Sequence, residues 1–397
     1  MIILVVNLGS TSFKCRLYDM SDDGCHETLL AIGTAERIGQ LSGKWSVEAA
    51  DRKADGMADL SDHAAAIELL LNQVIRLDAV ASLSDVEAIG FKAVHGGPIS
   101  GAVKVDDHVL ATMEQFADVA PQHNPPYIEA MKAFAAKLPG VPQVAAFETG
   151  YHQQIPLARQ VYGVPYEWID QLGVRRYGFH GASHRYIATR MAQIAPDCVK
   201  LISCHLGGSC SISGICDGQS VANSFGMTAQ SGVFHSSRVG DFDVFALMKL
   251  LESGMSLDVI WQKLGKEGGL KGLSGIGPDM REVEQAAANG DEQAKLAVDA
   301  FVESCRHYIG AFLAVLNGVD ALVFTGGIGQ HSSTIRAAVC AELDFAGICL
   351  DETRNRTVSG SAESRIDAGS VAIWVVPTNE EIIIARQTVE VLSRQPA

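Results

Sequence analysis

Polar residues able to do chemistry sit where apolar runs of this sequence stop. Asn7-Leu8-Gly9-Ser10 ends one run, Lys92 precedes His95-Gly96-Gly97, and Glu148-Thr149 closes the run from Gln143 to Phe147. Further along come Pro121-Gln122-His123-Asn124, Tyr177-Gly178-Phe179-His180-Gly181-Ala182-Ser183-His184, His205-Leu206-Gly207-Gly208, Ser237-Arg238-Val239-Gly240-Asp241 and Gly326-Gly327-Ile328-Gly329. Gly/Ser turns gather backbone N–H groups and hydroxyls into one concavity, which suits a phosphate. No GxxxxGK[ST] loop and no kinase HRD or DFG set occurs, so the commoner phosphoryl-transfer templates are absent.

The elements that must present these tips are strands. Ile2 to Asp19 and Leu201 to Asp217 are built alike: a strand, a Gly/Ser turn and a second strand ending in aspartate. At one common offset Leu8 falls on Leu206, Gly9 on Gly207 and Asp19 on Asp217. A device carried twice predicts a duplicated fold with two phosphate-holding loops facing one cleft. Elsewhere the spacing predicts helices over His63 to Leu77 and Leu296 to Leu316, and strands over Val86 to Val94, Gln143 to Phe147, Asp320 to Phe324 and Ala372 to Val376. Thr325 to Gly329 reads as a turn, and Thr378 with Glu381 as a capping box opening a C-terminal helix.

Composition bounds the class. A chain of 397 residues exceeds the usual single-core size, so two domains are expected, 1–150 joined by the C-terminal helix 382–397, and 151–381. A net charge of −15 argues against nucleic acid or an anionic membrane as partner, and requires any phosphate site to concentrate its cations locally. The opening run MIILVV reads as a strand too short to span a membrane. Nine cysteines without a CxxC pair fit a reducing cytoplasm better than a disulfide framework.

In their order along the chain, the motifs YGFHGxSH, SRxGD, GGIG and TNEE make the sequence resemble the acetate kinase family from Asn7 to Ala385. The resemblance implies an α/β fold of the duplicated, two-domain actin/hexokinase-like (ASKHA, ribonuclease H-like) ATPase type with a central cleft. It implies direct in-line phosphoryl transfer from ATP to a short-chain carboxylate such as acetate, giving acyl phosphate and ADP, by a homodimer. Magnesium is implied near Asn7 and Glu380, with Lys14 toward the nucleotide phosphates. His180 and Arg238 are implied to stabilise the phosphoryl group in flight, with Glu148 at the catalytic acid position. Nucleotide contacts are implied from His205, Leu206, Gly207, Gly208 and Ser209, from Asp279, Met280 and Arg281, and from Gly327, Ile328, Gly329, Gln330 and His331. The carboxylate pocket is implied at Lys92, Val94, Gln122, His123, Phe179 and Ala229. The residue types suit the task, because charge on the equatorial oxygens calls for a fixed guanidinium fork, an imidazole donor and a divalent cation.

Several positions depart from the family pattern. Lys92 stands where arginine is usual and Glu148 where aspartate is usual, two changes that could compensate. Gly208 replaces an asparagine, and Gln330-His331 replaces a Glu-Asn pair. Gln122 and Ala229 stand at leucine and proline positions, which suggests a roomier, more polar pocket open to propionate or a hydroxylated short acid. Two further readings stay open: the same fold with another donor such as pyrophosphate, and a nucleotide-binding regulatory protein without turnover.

Overall fold

The computed structural model describes residues 1–9, 11–24, 26–117 and 123–394. The chain divides into two compact units, Met1–Gly150 with Asn379–Ala397, and Tyr151–Thr378. In the first, an eight-stranded sheet has the order β5-β4-β3-β2-β1-β6-β8-β7. Its strands are β1 (Ile2–Leu8), β2 (Ser12–Met20), β3 (Glu27–Glu36), β4 (Gln40–Ala49), β5 (Arg52–Leu60), β6 (Ala88–Ala93), β7 (Ala102–Lys104) and β8 (Gln143–Phe147). The central strands are apolar because both faces are covered; Ile3, Leu4, Val5 and Val6 are fully buried. Helix His63–Arg76 lays Ala66, Ile67, Leu70, Leu71 and Val74 into the core, three or four residues apart, and is capped by Asp62, which accepts from Ala65 N at 2.8 Å.

The second unit holds a six-stranded sheet in the order β11-β10-β9-β12-β14-β13. These strands are β9 (Lys200–Leu206), β10 (Cys210–Cys216), β11 (Gln219–Asn223), β12 (Ala321–Thr325), β13 (Ser364–Arg365) and β14 (Ala372–Val375). Pairings repeat between the units: β1 lies antiparallel to β2 and parallel to β6, as β9 lies antiparallel to β10 and parallel to β12. The duplication is therefore one of topology. The repeat is inexact at its turns, since Leu8 pairs with Phe13 but Leu206 pairs with Cys210, leaving the second turn one residue shorter.

Two local expectations are corrected. Thr325 to Gly329 is the start of a helix, Gly326–His331, with Thr325 at its N-cap. Gly326 has φ +77°, and a Cβ there would lie 2.6 Å from Leu206 O, so only glycine lets this helix start against the tip of β9. The last helix, Glu380–Ser393, is capped by Asn379, whose side chain accepts from Ile382 N at 3.3 Å. Thr378 and Glu381 form no capping box, because Glu381 is turned to Asn7 and Arg16.

Candidate active site

In the first unit, parallel pairing of β6 with β8 sets Lys92 near the end of one strand and Glu148 just past the end of the other, with Glu148 N donating to Ala93 O at 2.9 Å. Lys92 Nζ stands 3.9 Å from Glu148 Oε1 and is ion-paired with Glu380 Oε2 at the first turn of the last helix. Burial alone would push this ammonium down, but Glu380 and then Glu148 outweigh it and hold Lys92 above its ordinary value. Tyr127 supports the neighbouring tip, accepting from Leu8 N at 2.8 Å. His123 is the N-cap residue of helix Asn124–Lys137, and Val94 packs half-buried on the core. Gln122 and Ser10 lie outside the described residues.

Asn7 and Lys14 are cross-strand partners on β1 and β2, with Lys14 exposed. Asn7 Nδ2 donates to Glu381 Oε1 at 3.2 Å, and Arg16 Nη2 lies 3.7 Å from Glu381 Oε2. Arg16 Nη1 also donates to Asn379 Oδ1 at 2.8 Å. Arg16 escaped the sequence reading, although strand alternation puts it on the face of Lys14, and Asn379 and Glu381 entered that reading only as part of the TNEE motif that opens the last helix. The oxygen donors here, the Asn7 amide and the Glu380 carboxylate, are of the hard kind magnesium takes. Among the described residues no group of three or more His, Cys, Asp or Glu could hold a metal. These two donors alone would not enclose a magnesium ion, so any such ion would need substrate phosphates and water to complete its oxygen shell.

In the second unit, His180 is the N-cap residue of helix Gly181–Ile194 and has left-handed backbone angles, φ 56° and ψ 33°. A side chain in that region costs on the order of 1 kcal/mol, and such outliers concentrate at functional positions. His180 Nδ1 is hydrogen-bonded to Ser211 Oγ at 2.8 Å, and its ring lies 4.2 Å from that of His205. His205 Nδ1 is held in turn by Ser183 Oγ at 2.8 Å. Phe179, buried beside them, meets the Phe225 ring edge-on at 5.4 Å. Below Phe179, His152 Nε2 donates to its carbonyl at 2.8 Å while Nδ1 bonds Ser220 Oγ. Burial pushes His152 down to about 4, against the opposing pull of that carbonyl, so it is neutral.

Arg238 Nη1 donates to Ala229 O at 2.5 Å. Burial pulls this guanidinium below its ordinary value, yet it remains a cation. The nearby Asp241 is occupied elsewhere, accepting from Gly232 N at 2.9 Å and from Tyr308 Oη. Arg238 and Asp241 are thus separately employed.

A cavity of about 820 Å³ opens beside the β9–β10 turn. Gly207, Gly208, Asp279, Met280, Arg281, Gly327, Ile328 and His331 line it, eight of the residues to which the resemblance gives nucleotide contacts. His205, Leu206, Ser209, Gly329 and Gln330 stand behind or beside that lining. Leu206 is buried, and the Gly329 and Gln330 carbonyls accept from Arg336 Nη1 at 2.9 and 2.8 Å. Ser236, Pro278, Glu284 and Ser332 also line the cavity and were missed. Glu284 follows Met280 by one helical turn, the signal that could have found it, and accepts from Ser332 Oγ at 2.7 Å. Burial pushes the Glu284 carboxyl up.

The Acetokinase family profile matches residues 2–386. An acetate kinase of Shouchella clausii is 39% identical, covering 98% of this chain and 99% of its own. A propionate kinase of Escherichia fergusonii is 37% identical over 100% and 98% of the two chains. Among solved structures, Porphyromonas gingivalis acetate kinase superposes with a TM-score of 0.88 at 34% identity, over 99% and 100% of the two chains. A Francisella tularensis propionate kinase does so with 0.89 at 33% identity, over 98% and 99%. Matched by the profile over nearly its whole length and to relatives of both names, the chain belongs to the acetokinase family.

Proposed function

We propose that this protein transfers the γ-phosphoryl group of ATP, in line, to a short-chain carboxylate, giving an acyl phosphate and ADP. The observation that carries the reading is His180, held in a costly backbone conformation with Nδ1 tied to Ser211 and its ring against His205 of the glycine turn. Tyr151–Thr378 is the nucleotide-binding unit in this proposal. ATP takes the cavity lined by Gly207, Gly208, Asp279 and Gly327, with Lys14 serving its phosphates. Arg238 offsets the charge on the equatorial oxygens and His180 donates a hydrogen bond to them as the bridging P–O bond breaks and the carboxylate–phosphorus bond forms. The attacking carboxylate is already ionised, so no general base is needed. Glu148 instead holds Lys92, the cation offered to the carboxylate substrate. Asn7 and Glu380 would hold magnesium, which when bound offsets the charge of the nucleotide phosphates.

Acetate and propionate are the acids this reading favours. We also propose a homodimer in the reducing cytoplasm. Val244, Phe245, Met248 and Trp261 are each more than half exposed, apolar area that burial against a second copy would remove from water. All eight cysteines among the described residues are free. ATP-dependent acyl hydroxamate formation from acetate, propionate, butyrate and glycolate, with and without magnesium, tests the proposal. Turnover with pyrophosphate alone would assign another donor, and none with either would favour a regulatory nucleotide binder.

A further inference from the structure

Behind His180 runs a line of buried polar groups that hydrogen bonding alone does not require of a core. Ser203 Oγ lies 2.9 Å from His184 Nδ1, His184 Nε2 lies 2.8 Å from Ser211 Oγ, and Ser211 Oγ lies 2.8 Å from His180 Nδ1. Ser203, His184 and Ser211 are completely buried. The helix places His180 and His184 one turn apart on one face, while β9 and β10 contribute the two serines.

We propose that Ser211 and His184 are positioning residues for phosphoryl transfer, fixing His180 as the tautomer that carries its proton on Nε2. The inference rests on the reading of His180 as a group that acts on the phosphoryl oxygens. A serine hydroxyl has one proton to give, and a neutral imidazole has one donor and one acceptor nitrogen. His184 is neutral, pushed well below its ordinary value by burial and then by His152 and His205. For a neutral His180 to donate toward a phosphoryl oxygen from Nε2, its Nδ1 must accept, so Ser211 donates. The Ser211 oxygen then accepts from His184 Nε2–H, and His184 Nδ1 accepts from Ser203. Run from Ser203 to His184 to Ser211 to His180, the line satisfies every bond without a buried charge and puts the His180 proton on Nε2, and in a dry core each bond polarises the next.

A hydrogen-bonded core element would be satisfied by either direction, so the tautomer is the discriminating quantity. The test uses the full chain and the variants Ser211→Ala, Ser211→Thr and His180→Asn, reading kcat, both KM values and the ¹⁵N shifts of the His180 ring. In the parent, His180 and His184 should both be Nε2–H tautomers. Ser211→Ala removes one oxygen and should lower kcat about 10–100-fold, the scale for a mispositioned catalytic group, with His180 becoming a tautomer mixture. Both KM values should stay within about twofold, as expected when only the transition state is affected. Ser211→Thr, which keeps the hydroxyl, should restore kcat and the single tautomer. A parent His180 protonated on Nδ1 would overturn the inference, as would a Ser211→Ala variant with parental kcat and tautomer beside an inactive His180→Asn. Parental kcat in His180→Asn would instead count against the role given to His180, and the parent spectrum would still decide the direction of the line.

Discussion

Lys92 and Glu148 approach to 3.9 Å between Nζ and Oε1, with Glu380 paired to the same ammonium. Both residues depart from the family's arginine and aspartate, and they are neighbours. A shorter cation head and a longer acid arm therefore meet at one point, so the exchanges should be coupled. Lys92→Arg and Glu148→Asp should each lower kcat/KM, and the double variant should recover most of it. The expected coupling is about 0.5–3 kcal/mol, the range for contacting residues. Strictly additive effects on kcat/KM would show that the two positions act independently.

His152 contributes to the loss of stability in acid, alongside His184 and His235, which burial also holds well below their ordinary values. Its folded value of about 4 lies below the ordinary 6.5, because burial opposes charging it. Above pH 6.5 folded and unfolded chains are both neutral there and nothing is lost. As pH falls through the window from 6.5 toward 4 the unfolded chain takes up the proton and gains, costing the fold at most about 3 kcal/mol. Urea unfolding from pH 7 to 4 should show this loss. His152→Gln, which cannot titrate, should make the curve shallower in that window, with His184 and His235 still contributing, while lowering stability at pH 7.

Arg336 is fully buried, and its recorded partners are neutral oxygens: Gly329 O, Gln330 O, Asn355 O and Asn355 Oδ1, at 2.8–3.0 Å. It ties the short helix Gly326–His331, which borders the cavity, to the rest of its unit. Arg336→Met would leave those carbonyls unsatisfied, at a cost of about 3 kcal/mol for several buried acceptors. Thermal unfolding should register that loss, and KM for ATP should rise more than kcat falls. An unchanged KM would separate Arg336 from the nucleotide site.

Much of this organisation was legible in the sequence, for reasons that differ by element. The strands Gln143 to Phe147 and Ala321 to Thr325 are continuous apolar runs closed by polar tips, so period and punctuation agreed. Strands β3 to β5 went unread, since Gly33, Gly43 and Gly56 interrupt them and their charged residues mask the alternation. The turns carrying His180 and His205 were visible as motifs, but what holds them was not. Ser211 and Ser203 look like any strand serines, and Ser183 like any helix serine, until pairing of β9 with β10 and the packing of helix Gly181–Ile194 bring them to the rings. Arg16 and Glu381, more than 360 residues apart in sequence, meet only through tertiary folding.

Ala229 contributes its carbonyl to Arg238 whatever its side chain, so the exchange of proline for alanine alters bulk more than polarity. An added methylene is worth about 1–3 kcal/mol in an apolar pocket. Propionate should accordingly match or exceed acetate in kcat/KM, and Ala229→Pro should move the ratio toward acetate. A parent preference for acetate of more than about a hundredfold, near the top of that range, would contradict this view of the pocket.

The central claim is that His180 and Arg238 act on the phosphoryl group during transfer, and kcat for ATP-dependent acyl phosphate formation by Arg238→Ala tests it most directly. The account predicts a fall of about 10²–10³, the scale for losing one charge-stabilising donor, with KM for ATP close to that of the parent. A near-parental kcat accompanied only by a raised KM for ATP would contradict it.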